Sequence, residues 1–335
     1  MGVGVPLLGP ADVGRRVSVR VLAAEAASSH ERPTFRDVVG TLVGVTGSTW
    51  TVRRRDGTDV SIGLDTVAAA RLVPESETRL RRAADVDPAT LEHITSLGWQ
   101  PLESHELGGW LLRAAGGFTG RANSVLALGE PDRPLSAAVD EVARWYRERG
   151  LVPTFQVPMP WAGRLDEQLE SRGWVLEDPV RVLVVDVTAA LMAVPPDDTV
   201  PGVELADRPD AAWLSAYRYR GAPLPAGARD VLLKADAPVF GLVRDPSDPT
   251  SSTALAVGRG ALTPGWLGIT AIDVVDGHRR RGLGAHLVRS LLSHAQLRGA
   301  RFAYLQVAED NAPARALYAR FGFVDHHGYH YRRLR

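Results

Sequence analysis

From Leu267 to Val275 the chain is almost continuously apolar, and it then turns at Asp276-Gly277. Beyond the turn, Leu283, Leu287, Val288, Leu291, Leu292 and Ala295 recur at a spacing that marks one face of a helix. A second apolar run, Phe302 to Val307, predicts another buried strand. Asn311 then reads as a helix N-cap, with Pro313 tolerated in the first turn. Tyr318 lies seven residues further on, two helical turns along roughly the same side. Strand, turn, helix, strand and helix in this order predict an α/β unit.

The region from about Asp12 to Val73 has a different rhythm. Short alternating runs occur at Val17 to Leu22, Val38 to Val45, Trp50 to Arg54, Asp59 to Ile62 and Val67 to Leu72. Gly47-Ser48 and Asp56-Gly57 separate some of them, and Asp-Gly between alternating runs is a hairpin signal. About five short strands in this space predict a small β-barrel. The run Arg53-Arg54-Arg55 reads as a solvated hairpin edge that discourages further strand pairing, or as a contact for a partner or nucleic acid. A polar linker, Pro74-Glu75-Ser76-Glu77-Thr78, follows.

The middle of the chain repeats the pattern of its last third. Arg149-Gly150 precedes Thr154-Phe155-Gln156-Val157, a helical stretch and Arg172-Gly173-Trp174. Arg298-Gly299 precedes Tyr304-Leu305-Gln306-Val307, a helix and Phe321-Gly322-Phe323. The glycine separations are equal, 173 − 150 = 23 and 322 − 299 = 23. The preceding helices correspond as Ala137 to Arg147 and Ala285 to Gln296. This predicts two copies of one α/β unit.

The copies differ at the turn before the helix. The later one carries Arg279-Arg280-Arg281-Gly282-Leu283-Gly284-Ala285. A glycine-rich turn from a strand into a helix presents free N–H groups and the positive end of the helix dipole, a setting that holds pyrophosphate. A Cβ would block the close approach of backbone to phosphate. The spacing matches neither a P-loop nor a dinucleotide fingerprint. In the earlier copy the alignment puts Arg133-Pro134-Leu135 at Gly282-Leu283-Gly284. Proline lacks the needed amide, so that copy reads as degenerate. Its Trp110, Phe118, Trp145, Trp161 and Trp174 read as core or packing residues. The cluster Thr119-Gly120-Arg121-Ala122-Asn123-Ser124 reads as a hairpin turn, or as the lining of an acceptor cleft.

From about Leu267 to Phe323 the chain resembles the GNAT superfamily of acetyl-CoA-dependent N-acetyltransferases. The resemblance rests on the Arg-x-x-Gly-x-Gly/Ala turn, the following strand, Asn311, Leu317-Tyr318 and Phe321-Gly322-Phe323, in order and at family spacing. It implies a GNAT fold of mixed α/β and α+β character. The duplicated unit is similar to the tandem GNAT arrangement. The early strands are similar to a Src-homology-type barrel that precedes this region in some actinobacterial members. The expected domains are residues 1–75 for the barrel, 80–190 for the degenerate half and 200–335 for the cofactor-binding half.

The resemblance also implies roles. The backbone of Ile272, Asp273 and Val274 would pair with the pantetheine arm and polarise the thioester carbonyl. Arg279, Arg280, Arg281, Gly282, Leu283, Gly284 and Ala285 would wrap the pyrophosphate. Asn311 would contact pantetheine, and Tyr318 would protonate the departing thiolate. Many relatives carry a glutamate where this chain has Gln306, which cannot usefully accept a proton. Asp273, Glu309 or a water chain are the alternative bases, and His278 reads as a turn residue.

Composition narrows the partners. The 335 residues are 45% apolar and 23% charged, ordinary for a globular chain of two or three domains. Zero formal net charge gives no global argument for nucleic-acid or anionic-membrane binding. The absence of cysteine excludes disulfides, a cysteine nucleophile and thiolate metal sites. No apolar run approaches the roughly 18 residues of a membrane span, and Met1-Gly2-Val3-Gly4-Val5-Pro6 lacks a signal-peptide basic region, so a cytoplasmic protein is expected. A single lysine, Lys234, among many arginines is a codon-usage signature of high-G+C bacteria. The expected function is transfer of acetyl from acetyl-CoA, without a metal, to an amine of a protein or small molecule. The other class is a non-catalytic acyl-CoA sensor whose barrel recruits a protein partner.

Overall fold

The computed structural model describes residues 8–9, 12–22, 35–54, 57–72, 82–160, 162–248, 250 and 252–335. Arg55, Asp56, the linker Pro74 to Thr78 and Trp161 lie outside the described residues. The chain divides into two compact units, Met1–Arg81 and Arg82–Arg335.

The first unit contains β1 (Arg16–Leu22), β2 (Phe35–Val45), β3 (Thr49–Arg53), β4 (Asp59–Gly63) and β5 (Val67–Leu72). They form one antiparallel sheet in the order β4-β3-β2-β1-β5. Strand alternation turns Val17, Val19 and Val21 inward, where Val38, Leu42, Trp50, Val52 and Ile62 complete a single core. The edge strands β4 and β5 do not pair with each other among the described residues, so hydrogen bonds do not close the predicted barrel. Arg53, from the basic run, forms an exposed ion pair with Asp59 across the β3–β4 hairpin at 2.7 Å.

The second unit opens with α1 (Pro88–Gly98), capped by Asp87, whose carboxylate accepts the Thr90 N–H. Then come β6 (Glu103–Leu107), β7 (Trp110–Ala114), β8 (Val125–Ala127), α2 (Leu135–Glu148), β9 (Thr154–Met159), α3 (Gly163–Ser171) and β10 (Val175–Asp186). The chain continues through α4 (Val187–Ala193), β11 (Val203–Ala206), α5 (Ala211–Ala216), α6 (Ala228–Leu233), β12 (Ala237–Arg244), β13 (Ala254–Thr263) and β14 (Trp266–Val274). It ends with α7 (Leu283–Leu297), β15 (Phe302–Ala308), α8 (Ala312–Arg320) and β16 (Val324–Arg333). No described helix is long and apolar enough to cross a membrane.

All eleven strands of this unit belong to one sheet, β11-β12-β13-β14-β15-β10-β16-β9-β8-β7-β6. Apart from the edge strand β11, the order is palindromic about the β10–β16 pair. β8–α2–β9–α3–β10 and β14–α7–β15–α8–β16 are the two copies of the repeat, and they exchange their last strands. β10 of the first copy pairs with β15 of the second, and β16 of the second pairs with β9 of the first. β10 and β16 lie antiparallel between them.

Each copy packs its own helix on the sheet. The predicted face of α7, including Leu287, Val288, Leu291, Leu292 and Ala295, is fully buried. Val288, Leu291, Leu292 and Ala295 pack with Leu267, Ile269, Leu305 and Phe321. The corresponding face of α2 packs with Trp110, Phe155 and Trp174. The sequence alignment of the copies slips by one residue at the helix starts. Those starts are 283 − 135 = 148 residues apart, whereas the glycines after the helices are 299 − 150 = 149 apart. α7 has 15 residues and α2 has 14, so Pro134 occupies the N-cap where the later copy has Gly282.

Candidate active site at the splayed strands

β14 and β15 run parallel and pair from Trp266–Phe302 to Ile269–Leu305, and there the pairing stops. The cause is a bulge. Between the pairs Arg259–Thr270 and Val257–Asp273, β14 spends one more residue than β13. Ala271 within that segment has φ 54°, a left-handed conformation rare for alanine. A bulge bends and twists its strand. Thr270 to Val274 therefore leave Gln306 to Ala308, and two strand edges face one another without pairing. The outer edges stay engaged, β14 with β13 and β15 with β10.

The turn at the end of the β14 arm is stitched to it. His278 donates its backbone N–H to Val275 at 3.0 Å, as expected of a turn residue. Arg279 donates from Nε to the Val274 carbonyl at 3.1 Å. Arg280 and Gly282 both have positive φ, 62° and 83°. The first bond of α7 runs from the His286 N–H to the Gly282 carbonyl at 2.9 Å. Among the described residues, the six amides from Arg280 to Ala285 have no backbone acceptor. They sit at the positive end of a 15-residue helix, which favours an anion. A Cβ at Gly284 would lie 3.4 Å from Leu317 and 3.7 Å from Val274, ordinary contacts. The protein's own packing does not demand glycine there, which leaves close approach from outside as its use.

α8 supplies the remaining predicted groups. Asn311 is exposed and caps the helix, its side-chain oxygen accepting the Ala314 N–H at 3.2 Å. Tyr318 is buried on the inner face, edge-on to Phe323 at 5.8 Å between ring centroids. Burial pushes its phenol well above the usual tyrosine range. No partner binds its hydroxyl among the described residues.

On the sheet face away from α7, Gln306 is half-buried. Its Oε1 accepts from Arg121 Nη1 at 2.9 Å and lies 3.5 Å from the Tyr329 hydroxyl. Asp273 is half-buried at the end of the β14 arm, and its Oδ2 accepts the Arg218 backbone N–H at 2.9 Å. Burial raises this carboxyl above the usual aspartate range. Glu309 is exposed beyond the end of β15.

The loop from Thr119 to Ser124 lies in the connection of the antiparallel β7–β8 hairpin, which is longer than a tight turn. It closes a connection of ten residues between β7 and β8, folded around buried Asn123. The Asn123 oxygen accepts the Ala115 and Gly117 N–H groups, and its nitrogen donates to the Phe118 and Thr119 carbonyls. The loop presents Arg121 to Gln306.

A protein-family model described as "Probable histone acetyltransferase Rv0428c C-terminal" matches residues 87–332. The chain belongs to this GNAT-type N-acetyltransferase family. It is 29% identical over 327 residues to the "Probable histone acetyltransferase Rv0428c" of Mycobacterium tuberculosis, covering 94% of this chain and 93% of that protein. It is 26% identical over 249 residues to the "Uncharacterized N-acetyltransferase YobR" of Bacillus subtilis, covering 73% of this chain and 98% of that one. Among solved structures, a tandem GNAT protein from the clavulanic acid biosynthesis pathway has the same fold. It aligns with TM-score 0.51 and 16% identity over 76% of this chain and 89% of that one.

Within this GNAT chain the two halves are unequal in the features that build the wedge. β8 has three residues where β14 has nine, and no arm extends past its short pairing with β9. Motif reading brings together the β14 arm, the α7 turn and α8. It misses Trp99, Tyr217 and Arg259, which the fold gathers near Arg121. A pairing signal was available in principle, since a strand arginine, Arg259, sits in the otherwise apolar and small-residue run Ala254 to Leu262.

Proposed function

We propose that this chain transfers the acetyl group of acetyl-CoA to a primary amine by direct attack in a ternary complex. The observation that carries the reading is the set of six unpartnered amides, Arg280 to Ala285, beside the unpaired edge of β14. The first feature suits a pyrophosphate, and the second suits an amide-bearing arm that adds to a strand edge.

Acetyl-CoA supplies the activated thioester. The backbone of Ile272, Asp273 and Val274 holds the pantetheine arm and orients the carbonyl, and Asn311 borders it. The turn from Arg279 to Ala285 holds the pyrophosphate. Tyr318 is the acid. Burial keeps its phenol protonated, so it holds a proton for the sulfur when the carbon–sulfur bond breaks. Asp273 is the base. Its Oδ2 is held by Arg218, and its raised carboxyl is a better proton acceptor than an exposed one. It receives the proton that the acceptor ammonium loses before nitrogen attacks the carbonyl carbon. When the adduct collapses, sulfur takes the Tyr318 proton, and the second proton shed by nitrogen restores the phenol, leaving a neutral amide and the CoA thiol.

The acceptor is a protein amine or a small molecule. Purified protein incubated with acetyl-CoA and a panel of amines, peptides and basic proteins tests the reading by mass spectrometry. An acetylated product that requires the chain is the expected result. Tight acetyl-CoA binding with no product from any acceptor would overturn it.

A further inference from the structure

The Trp99 ring carries two guanidinium groups. Arg121 and Arg259 each lie 4.8 Å from its centroid. The two cations repel, since Arg121 contributes to lowering the Arg259 guanidinium, and an unpaired charge in a partly desolvated site is costly. Among the described residues neither arginine is paired with a carboxylate. The neighbouring carboxylates are engaged elsewhere. Glu92 is held by His327 and Gln156, each at 2.8 Å. Asp178 is paired with Arg220 and Arg333. Asp273 accepts from Arg218.

Arg259 is fully buried and fixed by two helix ends. Its Nε donates to Leu232 in α6 at 2.7 Å, and its Nη1 donates to Gly98 in α1 at 3.1 Å. Its Nη2 is buried without a partner. A buried donor left without an acceptor is destabilising. Burial lowers this guanidinium to about 10, so it remains a cation at neutral pH.

The surrounding polar groups are donors as well. Burial pushes the Tyr217 phenol up to about 12, which keeps its proton in place. Gln306 accepts from Arg121 through its oxygen, which leaves its amide nitrogen as a further donor. Arg121 and Gln306 are half-buried and therefore reachable from solvent. Gln306 itself stands on the splayed segment of β15, across from the β14 arm.

We propose that Arg121, stacked on Trp99 beside Gln306 and backed by the buried charge of Arg259, forms an anion subsite that binds a carboxylate carried by the amine acceptor. This rests on the acetyl-transfer reading above. Guanidinium forks match the two oxygens of a carboxylate. A monoanion costs less to desolvate beside buried Arg259 than a phosphate dianion does. The same charges disfavour a lysine-rich or arginine-rich peptide, so the subsite selects an amino-acid-like small molecule over a basic protein tail.

The test compares acceptors that differ only in the anion: phenylalanine, phenethylamine and the matching aminophosphonate, then lysine and cadaverine. Released CoA thiol is titrated directly, since the chain has no cysteine to add background. The carboxylate member should have a kcat/KM about tenfold or more above the neutral amine, the scale of one charge-assisted contact. Arg121→Gln should raise KM by a similar factor with kcat unchanged, and Arg121→Lys should restore part of it. Calorimetry on the full chain with benzoate gives a readout free of turnover. The parent should bind benzoate, and Arg121→Gln should lose at least about tenfold in affinity. Equal kcat/KM within each pair, preference for the phosphonate, no benzoate binding by the parent or unchanged binding in Arg121→Gln would each overturn the carboxylate subsite. If no amine is acetylated but Arg121→Gln still loses benzoate, the subsite stands and the transfer reading fails.

Discussion

Asp273 Oδ2 accepts the backbone N–H of Arg218 at 2.9 Å, which ties the free arm of β14 to the loop carrying Tyr217 and Tyr219. One residue thus joins the edge proposed to receive the cosubstrate to that loop. In the proposed mechanism its carboxyl would have two distinct uses, one oxygen for the loop and one for a proton.

Substitution separates those uses. Asp273→Asn keeps an oxygen for Arg218 but cannot accept a proton. It should lose about 10²–10⁴-fold in kcat while its thermal midpoint stays within a few degrees of the parent. Asp273→Ala should lose turnover and raise the acceptor KM as well. In the parent, kcat should fall as pH drops through the raised Asp273 value, above the ~3.9 of a free aspartate. Full activity in Asp273→Asn would remove this residue as the base.

Tyr318→Phe keeps the ring against Phe323 and deletes only the hydroxyl. The variant should fold, bind acetyl-CoA nearly as well as the parent and lose about 10²–10⁴-fold in kcat. Because burial raises the phenol, the parent should show no alkaline loss from this group below about pH 10. Unchanged turnover in the variant would mean that the thiolate leaves without this proton.

Gly284 faces Leu317 and Val274 at ordinary contact distances, so Gly284→Ala should fold normally. Gly284→Glu should abolish binding of CoA measured by calorimetry, since it sets an anion among the free amides of the turn. It should also cost some stability, because the position is half-buried rather than a fully exposed surface site. Unaltered CoA affinity in the glutamate variant would displace the pyrophosphate from this turn.

Calorimetric titration should give one acetyl-CoA per chain. The first half places Pro134, which has no N–H, at the helix N-cap and has a β8 of three residues, so it lacks both the glycine turn and the extended strand edge. Two sites per chain would contradict that.

Much of this architecture was legible because it is written in local patterns. The α7 stripe, the glycine turn and the Asn311 cap each depend on residues within a few turns of one another. The repeat was visible through its glycines, yet its helix start was misaligned by one residue, because α2 is one residue shorter than α7. The pairing of β10 with β15 left no local trace, since strand partners are chosen by the whole sheet. The Trp99, Arg121 and Arg259 cluster was hidden for the same reason. Arg259 is 259 − 99 = 160 residues from the ring it stacks on. Only the fold makes them neighbours.

The strand exchange has a bearing on how the chain acquires its structure. β9 ends at Met159, whose partner in β16 is Gly328, so 328 − 159 = 169 residues must be synthesised before that edge begins to be covered. During that interval a nascent first half exposes a bare strand edge, the kind of surface that pairs wrongly with neighbours. The halves therefore cannot mature one after the other in the usual N-to-C order. Each half completes its sheet with a strand of the other, so a piece cut between them would leave an uncovered strand edge on both sides.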